Sequence, residues 1–278
     1  VPVSALVDRD YNEADLEKSR ARLQVEVQES DYPYSIDNDV DEFLKRAKGQ
    51  AIWAPGKVIW DDPAAINEGE EVSQLITALR RKMDTLKKSL TIESAYFIVG
   101  ERGVQNVKDL VERGVSVRIL TNSLASNDVL AAHAGHANYR KELLEGGAEL
   151  YELRADSVVI KNTWKGESRA GLHTKAIVFD DSSLFIGSYN LDPRSSIINT
   201  EAGLYVESAE LAEQLLAYMD EGLQTKNSYK LMLDENGDLL WLTEIDGKEV
   251  IYDADPLSTV GQRFMSDFIG ILPVESQL

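Results

Sequence analysis

The sequence predicts an α/β fold whose mixed sheet is covered by helices on both faces and finished by an antiparallel meander. Three observations carry this. From Glu70 to residue 222, segments with helical periodicity alternate with strand-like runs. Near the end, Asn236-Gly237 and Asp246-Gly247 separate strand-like runs, as in tight hairpins. Of the 278 residues, 43% are hydrophobic, enough for one large domain or two small ones.

Residues 12–29 read as a helix with Leu16, Leu23 and Val27 on one stripe. A second short helix is expected from 37–39 to Leu44. Residues 50–63 suggest one or two strands, broken at Pro55-Gly56 and stopped at Pro63. These first 69 residues form no complete unit and read as a connector; because the chain starts on Val1, an upstream segment is expected. The regular pattern begins with a helix over 70–90 and a strand over 92–98. Helix 103–113, strand 115–120, a helical region over 128–146 and strand 148–153 follow. Residues 154–169 are expected to be a loop. Strands 173–180, 184–188 and 202–207 lead to helix 208–222, the three-stranded meander and a last helix over 257–271. This gives a connector (1–69) and one α/β half (70–278).

Composition narrows the function classes. No run of 18 apolar residues is present, and no basic–apolar–small leader pattern opens the chain. Zero cysteines exclude disulfides and thiolate ligands, and three histidines leave little material for zinc. With 48 acidic and 29 basic residues the net charge is −19, which opposes non-specific binding to phosphate backbones. No metal, cofactor or nucleic-acid partner is expected.

The chemistry concentrates between His173 and Glu201, where the spacing reads H-x-K-x4-D-x6-G-S-x-N, with the Glu 28 positions after the His. Alternate residues of a strand share a face, so His173 and Lys175 would stand about 6–7 Å apart on one side. An imidazole there can attack phosphorus or protonate a leaving oxygen, while an ammonium offsets charge on the non-bridging oxygens. Gly187 would permit close approach to a ligand, and Ser188 and Asn190 could donate to phosphate oxygens. Glu201 could accept from the second imidazole nitrogen. Asp180 is open between turn hydrogen bonding and a direct chemical role.

Other candidates are weaker. Asn122, Ser123 and His133 follow a strand end, where α/β proteins bind ligands, so they could approach a phosphate or headgroup; turn and cap chemistry is the competing reading. His133 and His136 lack the partners a metal pair needs. Arg194 could hold a second phosphate, or pair with Asp192 or Glu201. Trp53 and Trp60 read as core or edge residues, and the Arg80-Arg81-Lys82 and Lys87-Lys88 charges as a solvated helix face.

The run H-T-K-A-I-V-F-D followed by I-G-S-Y-N resembles the HKD motif of the phospholipase D superfamily. L-D-P-R-S-S-I-I-N-T-E, W-D-D-P at 60–63, Y-F-I-V-G-E-R-G-V at 96–104, L-T-N-S-L-A-S-N-D-V at 120–129 and the terminal L-P-V-E-S-Q-L resemble its bacterial cardiolipin synthase branch. The resemblance implies a phospholipase D-like three-layer α/β/α sandwich and metal-free phosphatidyl transfer between phospholipids. It implies two motifs, whether in one chain or across a dimer: one His becomes a phosphohistidine and the other serves as acid and base. This chain has one motif. It is therefore expected to be a second half, with His173 as the acid/base, and to have little activity alone. Phosphatidylglycerol-like substrates, peripheral contact with the bacterial inner membrane and a partner half are implied. Phospholipase D-type hydrolysis, or a non-catalytic phosphate-binding role, are the alternatives.

Overall fold

The central strands are buried on both faces, and alternate residues form two rows that face different helices. Ile177 and Phe179 join one apolar cluster with Leu90, Ile92, Ile119 and Leu150, while Ala176 and Val178 join another with Leu184 and Val206. Each fully buried Leu, Ile or Phe contributes roughly 1.5–3 kcal/mol, so both faces of the sheet must be covered.

The structure, a computed structural model, describes residues 12–29, 45, 48–49, 51–62, 73–157 and 171–272. They fall into two units, Val1–Ile52 and Trp53–Leu278. The first unit contains helix α1 (Glu13–Glu29), on which Leu16 and Leu23 are exposed. The short helix expected up to Leu44 lies outside the described residues, as does most of the loop expected at 154–169.

In the second unit the described strands are β1 (Gly56–Trp60), β2 (Ser89–Ser94), β3 (Ser116–Asn122), β4 (Glu149–Leu153), β5 (Lys175–Phe179), β6 (Ser183–Gly187), β7 (Ala202–Glu207), β8 (Ser228–Leu233), β9 (Leu239–Ile245) and β10 (Lys248–Tyr252). They form one sheet in the order β1-β7-β6-β5-β2-β3-β4-β8-β9-β10. Only β2–β3 and β3–β4 pair in parallel, through helical crossovers. The fold is a mixed α/β/α sandwich, and the C-terminal meander continues the sheet through β4–β8. Strand β1 pairs with β7, so the sheet begins before residue 69.

Helices α2 (Gln74–Asp84), α3 (Gly100–Glu112) and α5 (Arg140–Glu145) bury Leu75, Leu79, Val104, Val107, Leu110 and Leu143 against the first face. Helix α4 (Leu130–Ala137) precedes α5, and α6 (Pro193–Ile197) is a single short turn. Helix α7 (Ala209–Leu223) covers the second face with Ala212 and Met219, and α8 (Val260–Ile271) is the last described helix.

Three boundaries moved for physical reasons. The helix expected over 70–90 ends at Asp84, because the N–H groups of Lys87, Lys88 and Ser89 are taken by the Asp180 carboxylate. The helical region over 128–146 is two helices, broken where Asn138 turns its amide to the Gly270 carbonyl. The last helix starts at Val260, since Leu257 has a left-handed φ of 56° and Thr259 with Gln262 forms a capping box.

Candidate active site

The ends of five strands meet at one pole of the sheet. Register pairs Ser94 of β2 with Lys175 of β5, and Gly187 of β6 with Gly203 of β7. Trp60 of β1 pairs with Ala202. His173 lies just before β5 in an extended segment, fixed by a hydrogen bond from Ala95 N–H to the Thr174 carbonyl at 3.1 Å. His173 is exposed and Lys175 half-buried. The two are joined at close range: Lys175 Nζ donates to the His173 carbonyl at 3.0 Å. Burial pulls the Lys175 ammonium below its ordinary pKa, against the opposing pull of Glu201, Asp192 and Asp128. Asn190, two positions past Ser188, holds its Oδ1 buried and without a hydrogen-bond partner among the described residues. An acceptor kept that way can receive a proton-bearing oxygen of a ligand.

Glu201 is buried, but its partners differ from expectation. Ser188 Oγ donates to Oε2, and Asn199 Nδ2 donates to Oε1 at 3.3 Å. No bond to the His173 imidazole is made among the described residues. The carboxylate braces the β6–β7 ends instead. Ser188, expected to donate to phosphate, spends its proton on this contact and accepts from Ala202 N–H at 3.0 Å. Gly187 does not leave room for a ligand either. A Cβ there would sit 2.5 Å from the Ala202 carbonyl oxygen and 2.8 Å from Gly203 Cα, so the glycine serves strand packing.

Asp180 is at the far end of β5, about 17 Å from Lys175 at ~3.4 Å per residue. It opens the three-residue turn 180–182, in which Asp180 and Asp181 have φ of 50° and 55°. Burial alone would raise its carboxyl pKa; N–H groups of Lys88, Lys87 and Ser89 outweigh that and hold it below the ordinary value. At this end of β5 its carboxylate is used in hydrogen bonds to residues 87–89, which is the turn reading.

Asn122 and Ser123 are buried and structural. Asn122 Oδ1 accepts from Leu172 N–H at 2.8 Å, while Nδ2 donates to the Leu172 and Ala95 carbonyls at 2.9 and 3.0 Å. Ser123 Oγ bonds Ser126 Oγ at 3.1 Å, and Ser126 in turn bonds Asn122. This network fixes the backbone one residue before His173. A Cβ on Gly171 would lie 2.2 Å from the Ser126 carbonyl oxygen, so the adjoining turn requires glycine. His133 is held in a separate cluster. Its Nε2 faces Arg140 Nη2 at 2.7 Å and Asp255 Oδ1 at 3.4 Å, in a buried cluster with His136 and Glu152. Arg194 is exposed on α6 and makes no ion pair to Asp192 or Glu201 among the described residues.

Residue-type reasoning passed over two groups. Asp61 is buried and accepts from Ser73 Oγ, Leu75 N–H and Glu201 N–H, bolting the β1 end to α2 and to the site. Its only signal was W-D-D-P. Glu93 lies buried beneath the site with Oε1 unpartnered among the described residues. Burial pushes its pKa up to about 7, opposed by a hydrogen bond with Thr174.

Residues 79–223 match the family described as "Cardiolipin synthase, PLD-like domain". The chain belongs to that family. It is 38% identical over 232 residues to cardiolipin synthase C of Escherichia coli, covering 81% of this chain and 48% of the relative. An uncharacterized Helicobacter pylori protein is 27% identical over 98% of this chain and 54% of its own length. The chain thus spans about half the length of these curated relatives. A phospholipase D family member from Salmonella typhimurium, Nuc, aligns at a TM-score of 0.46 with 17% identity, over 64% of this chain and 98% of that one.

Proposed function

We propose that this chain supplies one half-site of a phosphatidyl transferase that makes cardiolipin from two phospholipids. One observation supports the reading: Lys175 Nζ reaches the His173 carbonyl at the start of β5, His173 is open to solvent, and Asn190, just past the end of β6, keeps a buried Oδ1 unpartnered among the described residues. The partner half provides the nucleophilic imidazole. That imidazole forms a P–N bond as the P–O bond to the departing glycerol breaks, and His173 gives its proton to the leaving oxygen. His173 then takes the proton from the glycerol hydroxyl of a second phospholipid as that oxygen replaces nitrogen on phosphorus. Lys175 offsets charge on the non-bridging oxygens throughout. Arg194, exposed and in no ion pair among the described residues, would hold the phosphate of the second lipid. The enzyme would work peripherally on the bacterial inner membrane, with the residues ahead of β1 as the connector from the first half.

The exposure of His173 also favours a second reading, in which water is the acceptor. Phosphatidylglycerol vesicles incubated with this chain and a separately produced first half test both. Cardiolipin plus free glycerol is the expected product, and only when both halves are present. Phosphatidic acid alone would make the enzyme a hydrolase. No turnover with both halves present would leave a phosphate-binding fragment.

A further inference from the structure

Helix α8 is turned inside out relative to an ordinary water-facing helix. Against α4 it sets Gln262, Ser266, Ile269 and Gly270, and a Cβ on Gly270 would touch Asn138 Oδ1 at 3.1 Å. Outward it sets Val260 (73% exposed), Phe264 (68%), Phe268 (51%) and Ile271 (83%), flanked by Met265 and Leu272. At 100° per residue these fill an apolar arc of about 140°. Arg263 and Asp267 mark one edge of that arc, and Arg263 turns back to donate to the Ser258 carbonyl at 3.0 Å. A water-facing helix places its apolar stripe toward the core; here Gln262, Ser266 and Gly270 take that position with Ile269 alone among the large apolar residues.

We propose that α8 is the element by which this chain lies on a lipid surface, its phenylalanines in the headgroup–acyl boundary. The inference rests on the lipid-substrate reading and names how the site reaches its substrate. Charge selects this occupant. A net charge of −19 repels anionic membranes, so attachment must come from an apolar face with balanced charge, and α8 carries one Arg and one Asp. Its length of 12 residues, about 18 Å, suits a helix lying in the interface plane. A partner half has a different surface available. Val58, Leu204 and Ile186 are exposed in one cross-strand row, next to Trp60 and the β6–β7 ends that carry Ser188 and Glu201. That row is continuous with the half-site, whereas α8 rests on α4, which follows β3, three strands from β6.

Flotation of the full chain with zwitterionic phosphatidylcholine vesicles tests this. The wild-type chain should float, unchanged at about 1 M salt, where charges are screened within ~3 Å. The Phe264→Asp/Phe268→Asp variant should partition at least about tenfold less. Because the chain has no cysteine, Phe268→Cys can carry an environment-sensitive dye with its fold kept; its emission should shift to the blue on adding vesicles, while the same dye on Glu235→Cys stays unchanged. Wild-type chain that does not float overturns the proposal, and if it is a dimer that the double variant splits, α8 belongs to a second copy. Equal flotation of both forms, or no dye shift, also overturns it. Binding is read without turnover, so loss of transfer with flotation intact counts against the chemistry alone.

Discussion

The Asn122 carboxamide pairs with the Leu172 backbone as a strand would, accepting its N–H at 2.8 Å and donating to its carbonyl at 2.9 Å. A side chain thereby replaces a neighbouring strand for the residue that precedes His173. The segment ahead of β5 is held as firmly as a ladder residue yet leaves the imidazole free.

Asn122→Ala should therefore destabilise the chain by about 1–3 kcal/mol, the cost of stranding buried donors and acceptors. Urea unfolding measures it. A loss below ~0.5 kcal/mol would mean that water takes over the Leu172 backbone and that the pairing is dispensable.

Asp180 predicts a pH-dependent contribution at the opposite pole. Its folded pKa lies below the ordinary carboxylate value, so its stabilisation is present above the unfolded pKa of about 3.9 and is lost as pH falls through the folded pKa. Asp180→Asn should be less stable than wild type near neutrality, and the two urea midpoints should converge in acid. A constant gap down to acid would show that the carboxylate charge contributes nothing.

Glu93 behaves in the reverse sense. Its pKa is raised to about 7, so between the unfolded value of about 4.3 and 7 the unfolded chain releases a proton that the folded chain keeps. Wild-type stability should fall across that window as pH rises and level off above it. Glu93→Gln imitates the protonated form, so its advantage over wild type should grow from pH 4 to 7. A pH-independent difference would show that Glu93 titrates normally.

Local signals made much of the site legible. Asn236-Gly237 and Asp246-Gly247 predict turns, and both glycines have the positive φ such turns demand. Asp192-Pro193 announces a helix start, since Asp192 accepts from Ser195 N–H and proline suits the first turn, yet the short α6 was passed over because its five residues show no periodicity. The placement of His173 and Lys175 at the start of β5, with Asn190 past the end of β6, followed from strand alternation and a short hairpin. The roles of Asp180, Gly187, Ser188 and Glu201 did not. Each depends on partners from other strands: Asp180 on residues 87–89, Gly187 on Ala202 and Gly203, Glu201 on Ser188 and Asn199. Spacing places such residues near one another but does not say which atom takes the hydrogen bond. His133 looked like a ligand-facing residue after a strand end, and the Arg140 and Asp255 partners that bury it lie 7 and 122 positions further along the chain.

The account depends most on His173. The direct measurement is phosphatidyl transfer from phosphatidylglycerol by the two halves together, with wild-type chain and with His173→Ala. The account predicts a loss of at least about 10³-fold in turnover for the variant with its urea midpoint unchanged, as removal of an acid/base group on an exposed site should give. Transfer that persists within tenfold of wild type would contradict it and move the chemistry elsewhere.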